Sequence, residues 1–300
     1  MVNHINCKIK ILVTGASGQL GHGLVKQLSN IENIELKAYD RKALDITNQQ
    51  AVSDAISSFK PDFIVNGAAY TAVDKAESES ERAYSINEQG PCNLAKSAQS
   101  INATLIHVST DYVFDGTKQT PYSEIDTPNP QGVYGKSKLA GELAVSKYCS
   151  KYIILRTAWV FGEHGNNFVK TMLKLGRTRS ELGIIGDQFG GPTYVGDIAA
   201  AIITIIKHVK VCGVCPSGVY HYSGTPHVSW YQFAANIFEA AKVNNALASV
   251  PIVNEITAAQ YPLAAPRPSN SRLNCELVEN TFSIKPSDWQ QALTNIKAYN

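Results

Sequence analysis

The sequence predicts an α/β fold in which a Rossmann-like, doubly wound parallel sheet carries a smaller C-terminal lobe. Three observations predict it. Short, continuously apolar segments alternate with helical patterns in the first half of the chain, and a glycine-rich turn follows the first of them. The second half loses this alternation. A chain of 300 residues is long enough for about two domains.

Five segments of the first half are predicted as strands, and the first of them is predicted to be buried on both faces of a sheet. They are residues 9–14, 34–39, 62–66, 104–109 and 152–157. Helices are predicted after the first strand, at residues 80–100 and at residues 133–148. Alternation of strands and helices predicts a parallel, doubly wound sheet with right-handed crossovers. Ligands of such a sheet are expected at the carboxyl ends of its strands.

The second half yields fewer regular elements. We predict helices at residues 167–176, 198–209 and 230–241, a strand at residues 182–185, and an extended Pro- and Ala-rich loop at residues 258–270. We expect residues 1–157 to form the sheet domain, with residues 193–225 returning to it. The remainder of residues 158–300 would form a substrate-binding lobe over the strand ends.

Composition excludes several classes of protein. The net charge is 27 − 25 = +2, which argues against a nucleic-acid partner. Hydrophobic residues make up 44% of the chain and charged residues 17%, as expected for a globular protein rather than a disordered one. No apolar run reaches the length of a membrane span, and the N-terminus does not resemble a signal peptide. We therefore expect no membrane partner and a cytoplasmic location.

The cysteines fit a reducing compartment. Cys7, Cys92, Cys149 and Cys275 are isolated in the sequence and are predicted to be small buried hydrophobic residues. The remaining two form a single C-x-x-C from Cys212 to Cys215. One such pair without a second is weak support for zinc, so we favour free thiols in a β-turn over a metal or redox site.

The first strand runs directly into a glycine-rich turn. Gly15, Gly18 and Gly21 would allow a tight turn, close approach of a pyrophosphate, and packing of the next helix on the sheet. The helix N-terminus would present free N–H groups to the phosphates. Asp40 ends the second strand, where it could bind the adenosine ribose. We prefer this dinucleotide site to a turn-rich loop with a surface aspartate.

The choice between NADH and NADPH stays open. The carboxylate of Asp40 would repel a 2′-phosphate and so favours NADH. Arg41 and Lys42 follow immediately, and either could hold that phosphate.

Tyr134 and Lys138 lie at i and i+4 on a predicted helix, so they share one face. A nearby ammonium would stabilise the phenolate and lower the pKa of Tyr134 from about 10 toward neutrality, making it a proton-transfer group. Thr110 lies at the end of the fourth strand. Its hydroxyl could bind the carbonyl oxygen of a substrate that Tyr134 protonates. The alternative without a catalytic role is a surface tyrosine beside a solvated lysine.

Several longer strings carry a resemblance. They are NGAAYTAVDKAE (residues 66–77), STDYVFDG (109–116), RTAWVF (156–161), GDQFGGPT (186–193) and RPSNSRL (267–273). With the glycine turn and the Thr110, Tyr134 and Lys138 set, they resemble the dTDP-4-dehydrorhamnose reductases, a family of the extended short-chain dehydrogenase/reductase superfamily.

The resemblance implies reduction of the C4 ketone of dTDP-4-dehydro-L-rhamnose by NADH or NADPH, for surface polysaccharide. Tyr134 would be the general acid, Lys138 would hold the nicotinamide ribose, and Thr110 would polarise the ketone. Further cofactor contacts implied are Ser17, Gln19, Leu20, Asp45, Ile46, Ala68, Ala69 and Tyr70. Substrate contacts implied are Thr110, Asp111, Tyr112, Trp159, Asn167, Gln188 and Arg267, and for Arg267 a purely structural role in the C-terminal loop is equally open.

Two alternatives remain open at this point. One is a related nucleotide-sugar ketoreductase, epimerase or dehydratase, although Tyr112 breaks the acidic pair usual in dehydratases. The other is a non-catalytic regulatory subunit similar to that of methionine adenosyltransferase. Some relatives bind magnesium at a dimer interface through a glutamate after the glycine turn, where this chain has His22. We therefore expect no metal, and a homodimer stays an option.

Overall fold

The computed structural model describes residues 8–299. The strands are β1 (Ile9–Thr14), β2 (Ile34–Tyr39), β3 (Phe63–Asn66), β4 (Thr104–Thr110), β5 (Tyr152–Thr157), β6 (Val160–Phe161), β7 (Glu181–Ile185), β8 (Phe189–Gly190), β9 (Thr193–Tyr194), β10 (Gly218–His221), β11 (Gly224–Thr225), β12 (Val228–Ser229), β13 (Ile252–Ile256), β14 (Asn270–Ser271) and β15 (Ser287–Asp288). The helices are α1 (Gln19–Leu28), α2 (Gln49–Phe59), α3 (Val73–Ala76), α4 (Ser80–Tyr84), α5 (Gly90–Ser100), α6 (Val133–Tyr148), α7 (Phe168–Gly176), α8 (Val195–Cys212), α9 (Trp230–Val243), α10 (Glu276–Phe282) and α11 (Trp289–Leu293).

A six-stranded sheet in the order β10-β5-β4-β3-β1-β2 forms the centre of the molecule, and every pairing in it is parallel. The chain passes from β1 outward to β2 and then returns to place β3 on the other side of β1. The direction of winding therefore reverses between β1 and β3, which is where ligands of doubly wound sheets bind. The predicted Rossmann-like fold is confirmed.

The alternating side chains of the strands face two apolar layers. Ile11 and Val13 of β1 pack with residues of α1 and α8 on one face of the sheet. Leu12 points the other way, into a cluster formed with α2, α5 and Val145 of α6. Burial on both faces explains the continuous apolar sequence of β1, whereas β2, at the edge of the sheet, has no fully buried residue.

A third apolar cluster lies outside the central sheet. It joins α7, α9 and α11 through residues such as Phe161, Met172, Phe233 and Trp289, all of which are buried. Around it are short pairings, including the parallel pair β7–β13 and the three-stranded group β12-β8-β14. The stacked indoles of Trp159 and Trp230 border this cluster.

The five predicted strands are confirmed to within one residue, but three other expectations need correction. The predicted helix at residues 80–100 is broken by a π-helical turn (Ser85–Gln89), which turns the buried Asn87 toward Tyr70 and Ser137. Helix α2, with 11 residues, and strand β10, with 4, are not in the prediction. The extended loop at 258–270 contains a short 3₁₀ turn, Ala258–Gln260.

Cys92, Cys149 and Cys275 are buried and free, as predicted, while Cys7 lies outside the described residues. Cys212 and Cys215 are also free. The predicted β-turn is wrong for Cys212, which ends α8; the helix closes on Gly213 with a φ of 70°. Among the described residues no helix is long and apolar enough to cross a membrane.

Candidate active site

The turn after β1 is shaped by close backbone contacts. Gly15 has a φ of 72°, and a Cβ added there would lie 2.6 Å from the amide nitrogen of Ala68. A Cβ on Gly21 would clash with the carbonyl oxygen of Gly15, so α1 packs tightly on the turn. The N-cap, Gly18, supplies no capping side chain, and the first turn of α1 holds no acidic residue. The N–H groups at this helix start are therefore free to bind an anion.

A cavity of about 430 Å³, here called the glycine-turn cavity, opens beside this turn. It is lined by most of the predicted cofactor contacts, namely Gly15, Ser17, Gly18, Arg41, Asp45, Ile46, Ala68, Ala69 and Tyr70. Eight further lining residues were not predicted: Leu44, Thr47, Gly67, Thr71, Ala72, Arg82, Ser85 and Ile86. Gly67, Thr71 and Ala72 lie within the string of residues 66–77. The others come from the loop after β2, from α4 and from the π-helical turn, where no local motif marks them.

Asp40 does not line this cavity. Its carboxylate accepts hydrogen bonds from the backbone N–H groups of Lys42 and Ala43, at 2.9 and 2.8 Å, and so closes its own turn. The neighbouring Arg41 is exposed and lines the cavity instead. Both hydrogen bonds use Oδ1 alone, so the expectation that Asp40 binds the ribose stays a prediction.

A second cavity of about 530 Å³, the central cavity, lies at the carboxyl ends of β4 and β5. It shares Ser17, Gly18, Gly67, Ala69 and Thr71 with the glycine-turn cavity, so the two are adjoining parts of one cleft. Its other walls include most of the remaining predicted residues: Gln19, Leu20, Thr110, Asp111, Tyr112, Tyr134, Lys138 and Trp159. Gly21 lines neither cavity and acts through packing alone.

Helix α6 carries both Tyr134 and Lys138 into the central cavity. The Tyr134 ring lies edge-on to Tyr112, with ring centroids 5.4 Å apart. Burial raises the pKa of Tyr134 to about 12, and a hydrogen bond with Thr110 offsets the increase only in part. The predicted lowering of this pKa is wrong, because desolvation of a phenolate outweighs the stabilisation available here.

The Lys138 ammonium is directed toward strand β4. It donates to the carbonyl oxygen of Val108 at 2.7 Å and lies 3.5 Å from Nε2 of His107. Burial lowers the pKa of Lys138 to about 8, partly opposed by Glu142 one turn further along α6. Glu142 is itself held by Arg156 of β5 in a buried ion pair at 2.6 Å, which ties α6 to the sheet.

Polar groups at the end of β4 complete the central cavity. Thr110 Oγ1 donates to Asp111 Oδ1 at 3.0 Å and accepts from the N–H of Tyr112 at 3.2 Å. Burial raises the pKa of Asp111 to about 6. The hydroxyls of Ser109 and Thr157 are buried without a hydrogen-bond partner and belong to the same cavity wall. Buried hydroxyls of this kind suit a polar ligand.

A third cavity of about 650 Å³, the aromatic cavity, shares Tyr112 and Trp159 with the central one. Gln188 and Arg267 line it, as predicted for substrate contacts. Arg267 donates to Asp74 at 2.7 Å, so it also anchors the C-terminal loop. The ion pair agrees with the structural role of Arg267, and a contact of the same side chain with substrate stays a prediction.

Trp159 forms the wall between these two cavities. Its backbone φ of 49° is unusual for a residue with a side chain, and its ring stacks on Trp230 with centroids 3.4 Å apart. Gly190 makes room for the indole, since a Cβ there would overlap the ring. Tertiary packing therefore fixes a strained conformation at the cavity wall.

Asn167 is the one predicted substrate contact that lines none of the three cavities. Its side chain accepts from the N–H of Lys170, capping α7, and donates to Gly162 and Gln19. The expectation of a substrate contact is thus not supported, because helix capping uses this amide. Asn166, the preceding residue, lines the central cavity.

Sequence reasoning also missed a buried polar row beside Lys138. Thr14, Asn66 and His107 are at most 1% exposed and are linked side chain to side chain across three strands. From its place in the predicted strand of residues 104–109, the sequence predicts His107 only as a core histidine with satisfied hydrogen bonds. Within residues 8–299 no three His, Cys, Asp or Glu side chains group as a metal site, and the expectation of no metal stays a prediction.

Comparison with known proteins agrees with this geometry. The family model described as RmlD substrate binding domain matches residues 9–299. A dTDP-4-dehydrorhamnose reductase from Aggregatibacter actinomycetemcomitans is 51% identical over 97% of this chain and 99% of its own.

Solved structures of relatives extend the comparison. A dTDP-4-dehydrorhamnose reductase from Bacillus anthracis in complex with NADP has a TM-score of 0.87 at 38% identity, covering 96% of this chain and 98% of that one. Its counterpart from Clostridium acetobutylicum has a TM-score of 0.88 at 41% identity, with the same coverage. The chain therefore belongs to the dTDP-4-dehydrorhamnose reductase family.

Proposed function

We propose that this protein reduces the C4 ketone of dTDP-4-dehydro-L-rhamnose to dTDP-L-rhamnose with NADPH or NADH. The observation that carries the proposal is that Thr110, Tyr134 and Lys138 line one cavity, which adjoins the cavity of the glycine turn. Membership of the reductase family, with relatives that match along their whole length, supports the choice of substrate.

The glycine turn fits a dinucleotide. The uncapped start of α1 offers N–H groups to a pyrophosphate, and Gly18 leaves the approach open, since a Cβ there would meet only the Gly15 carbonyl at 3.3 Å. Asp45, Ile46 and Tyr70 line the end of the cleft that suits an adenosine. The chemistry that a nicotinamide cofactor supplies when bound is hydride transfer.

Tyr134 is the general acid in this proposal. A ketone becomes an alkoxide as hydride arrives, so a proton must be ready at the carbonyl oxygen. With its pKa raised to about 12, Tyr134 holds its proton through the whole neutral range. The phenol therefore arrives protonated, as the reductive direction requires.

Thr110 and Lys138 support that proton transfer. The Thr110 hydroxyl can turn from Asp111 toward the carbonyl oxygen and help to stabilise the developing negative charge. Lys138 places a positive charge in the same cavity, which favours the tyrosinate left after proton transfer. No metal is needed for this chemistry.

The aromatic cavity is proposed to take the nucleotide end of the substrate. Trp159 and Trp230 form an aromatic surface suited to a sugar ring or a base, and Arg267 brings a cation for the diphosphate. Gln188, which is 7% exposed, offers an amide in the same cavity. Asp111 and Tyr112 lie between this cavity and Tyr134, where the sugar would pass.

A coupled assay tests the proposal. dTDP-glucose is converted by a dehydratase and a 3,5-epimerase, and cofactor oxidation is followed by absorbance with NADPH and NADH in turn. Oxidation that depends on the ketosugar nucleotide is expected. Tightly retained NAD with no net oxidation would indicate an epimerase instead. Copurification with a synthetase and no turnover would indicate a regulatory subunit.

Partners and location follow from the proposed chemistry. A nucleotide-sugar enzyme that uses NADPH or NADH finds both in the cytoplasm, which we propose as its location. We propose no nucleic-acid or membrane partner, in keeping with the net charge of +2. A homodimer remains a proposal, and light scattering of the purified protein tests it.

A further inference from the structure

A row of buried polar side chains leads from the glycine turn to Lys138. Thr14, Asn66 and His107 are directly opposite one another in the pairings β1–β3 and β3–β4, so their side chains lie on the same face of the sheet. Lys138 of α6 continues the row and is 2% exposed. A polar row inside a sheet is costly to bury unless each group has a defined partner.

The orientation of the Asn66 amide is fixed by its neighbours. The backbone N–H of Ala68 can only donate, and it lies 3.1 Å from Oδ1 of Asn66. The hydroxyl of Thr14 donates to the same oxygen at 2.7 Å. The amide nitrogen must therefore face His107, whose Nδ1 is 2.9 Å away.

This orientation determines the tautomer of His107. An amide N–H donates, so Nδ1 of the ring must accept and cannot carry a proton. Burial and the charge of Lys138 lower the pKa of His107 well below its usual value, which leaves the ring neutral. The single ring proton is then on Nε2, which faces Lys138 Nζ at 3.5 Å.

The contact between His107 and Lys138 thus brings two donors together. Nε2–H cannot accept a hydrogen bond from the ammonium. The acceptor that the sheet does offer to Lys138 is the carbonyl of Val108, at 2.7 Å. Since an ammonium has three N–H groups, two remain directed away from this carbonyl.

We propose that Asn66 and His107 are positioning residues for Lys138. By locking the proton on Nε2, Asn66 makes His107 a donor that denies the ammonium a second acceptor on the sheet. The free N–H groups of Lys138 then stay in the central cavity, where Tyr134 and the cofactor need them. This inference rests on the proposed function, and it adds a role for His107 beyond filling the core.

The first test reads the tautomer directly and is independent of activity. The full chain is labelled with ¹⁵N-histidine, and the His107 signal is identified by its loss in His107→Gln. We expect a proton on Nε2 and none on Nδ1 across the neutral pH range. A proton on Nδ1, or on both nitrogens, would overturn the proposal.

The second test replaces the Nε2–H donor of His107, which faces Lys138, with a hydrogen-bond acceptor. In Asn66→Asp the carboxylate can still accept from Thr14 and Ala68, but it forces the His107 proton onto Nδ1 and leaves Nε2 as an acceptor. In His107→Gln the new amide can turn its oxygen to Lys138. Both changes should draw the ammonium toward the sheet and lower kcat by roughly tenfold.

The pH profile separates positioning from a structural role. Lys138 is faced by His107 on β4 and by Glu142 on its own helix, and Glu142 is paired with Arg156. An added acceptor stabilises the ammonium, so the basic limb of the kcat profile should move to higher pH in both variants. His208→Gln on α8 is the matched control, with both kcat and profile unchanged.

The possible outcomes distinguish failure of the positioning role from failure of the proposed function. Folded variants with wild-type kcat and an unmoved pH profile would refute the positioning role, even if the reductase activity is confirmed. A wild-type protein that does not turn over the ketosugar nucleotide would refute the proposed function instead, while the histidine spectrum would still report on the tautomer.

Discussion

Replacing Tyr134 with phenylalanine removes one oxygen from the proposed active site and little else. The ring keeps its edge-on contact with Tyr112, whose centroid is 5.4 Å away, so α6 should stay in place. The lost group is the proton donor, and proton transfer by a positioned side chain contributes roughly 10²- to 10⁴-fold to rate. We therefore expect kcat to fall by at least roughly 10²-fold, or about 2.7 kcal/mol in the activation free energy.

The assay is the coupled reduction, followed at saturating cofactor, with cofactor affinity measured separately by fluorescence titration. Cofactor affinity should change little, because the lost hydroxyl acts on the ketone. Tyr148→Phe, at the far end of α6, is the matched control and should keep wild-type turnover. If Tyr134→Phe turned over within a few-fold of wild type, Tyr134 would not be the acid and the mechanism would be wrong.

Three further perturbations test other parts of the structure. Arg41→Ala should raise the KM for NADPH by roughly tenfold, the value of a charge-assisted hydrogen bond, and leave NADH nearly unaffected; equal effects on both cofactors in steady-state kinetics would contradict this. Asp111→Asn should stabilise the fold increasingly as pH rises from about 4 to above 6, by at most about 3 kcal/mol, and urea unfolding at several pH values should detect it. Glu142→Ala should cost about 3 kcal/mol or more, because it leaves Arg156 buried and unpaired; a smaller loss in the same unfolding assay would argue against tight coupling of α6 to β5.

The sign for Asp111 follows from the direction of its shift. Burial raises its pKa from 3.8 to about 6, so folding favours the protonated carboxyl. The stability it contributes is complete below about 4 and is lost as pH rises through about 6. An asparagine has no proton to lose, so the difference between variant and wild type should grow over that interval and then level off. A pH-independent difference would show that Asp111 stays ionised in the fold.

The raised pKa of Tyr134 shows that the spacing of Tyr134 and Lys138 on one helix does not by itself set the proton affinity of the phenol. The sequence argument treats Lys138 as a cation that acidifies the phenol, because the two are one helical turn apart. In the structure Lys138 donates to Val108 and is held beside His107, while the phenol is desolvated. Spacing along a helix determines which side chains share a face, but the polarity of the surrounding wall determines their proton affinities.

The parallel sheet, the glycine turn and the face shared by Tyr134 and Lys138 could all be predicted from the sequence. These features depend on local periodicity, on backbone conformations that glycine allows, and on helical spacing, all of which are written in neighbouring residues.

Other properties of the site depend on groups that lie far apart in the chain, and these became visible in the folded structure alone. Asp40 and Asn167 have the residue types that a ligand needs, yet a local turn holds one carboxylate oxygen of Asp40 and a helix cap uses the amide of Asn167. His107 looks like an ordinary core histidine until Asn66, 41 residues away, fixes its tautomer against Lys138. Hydrogen-bond partners and desolvation are properties of the folded neighbourhood, so no single stretch of sequence can specify them.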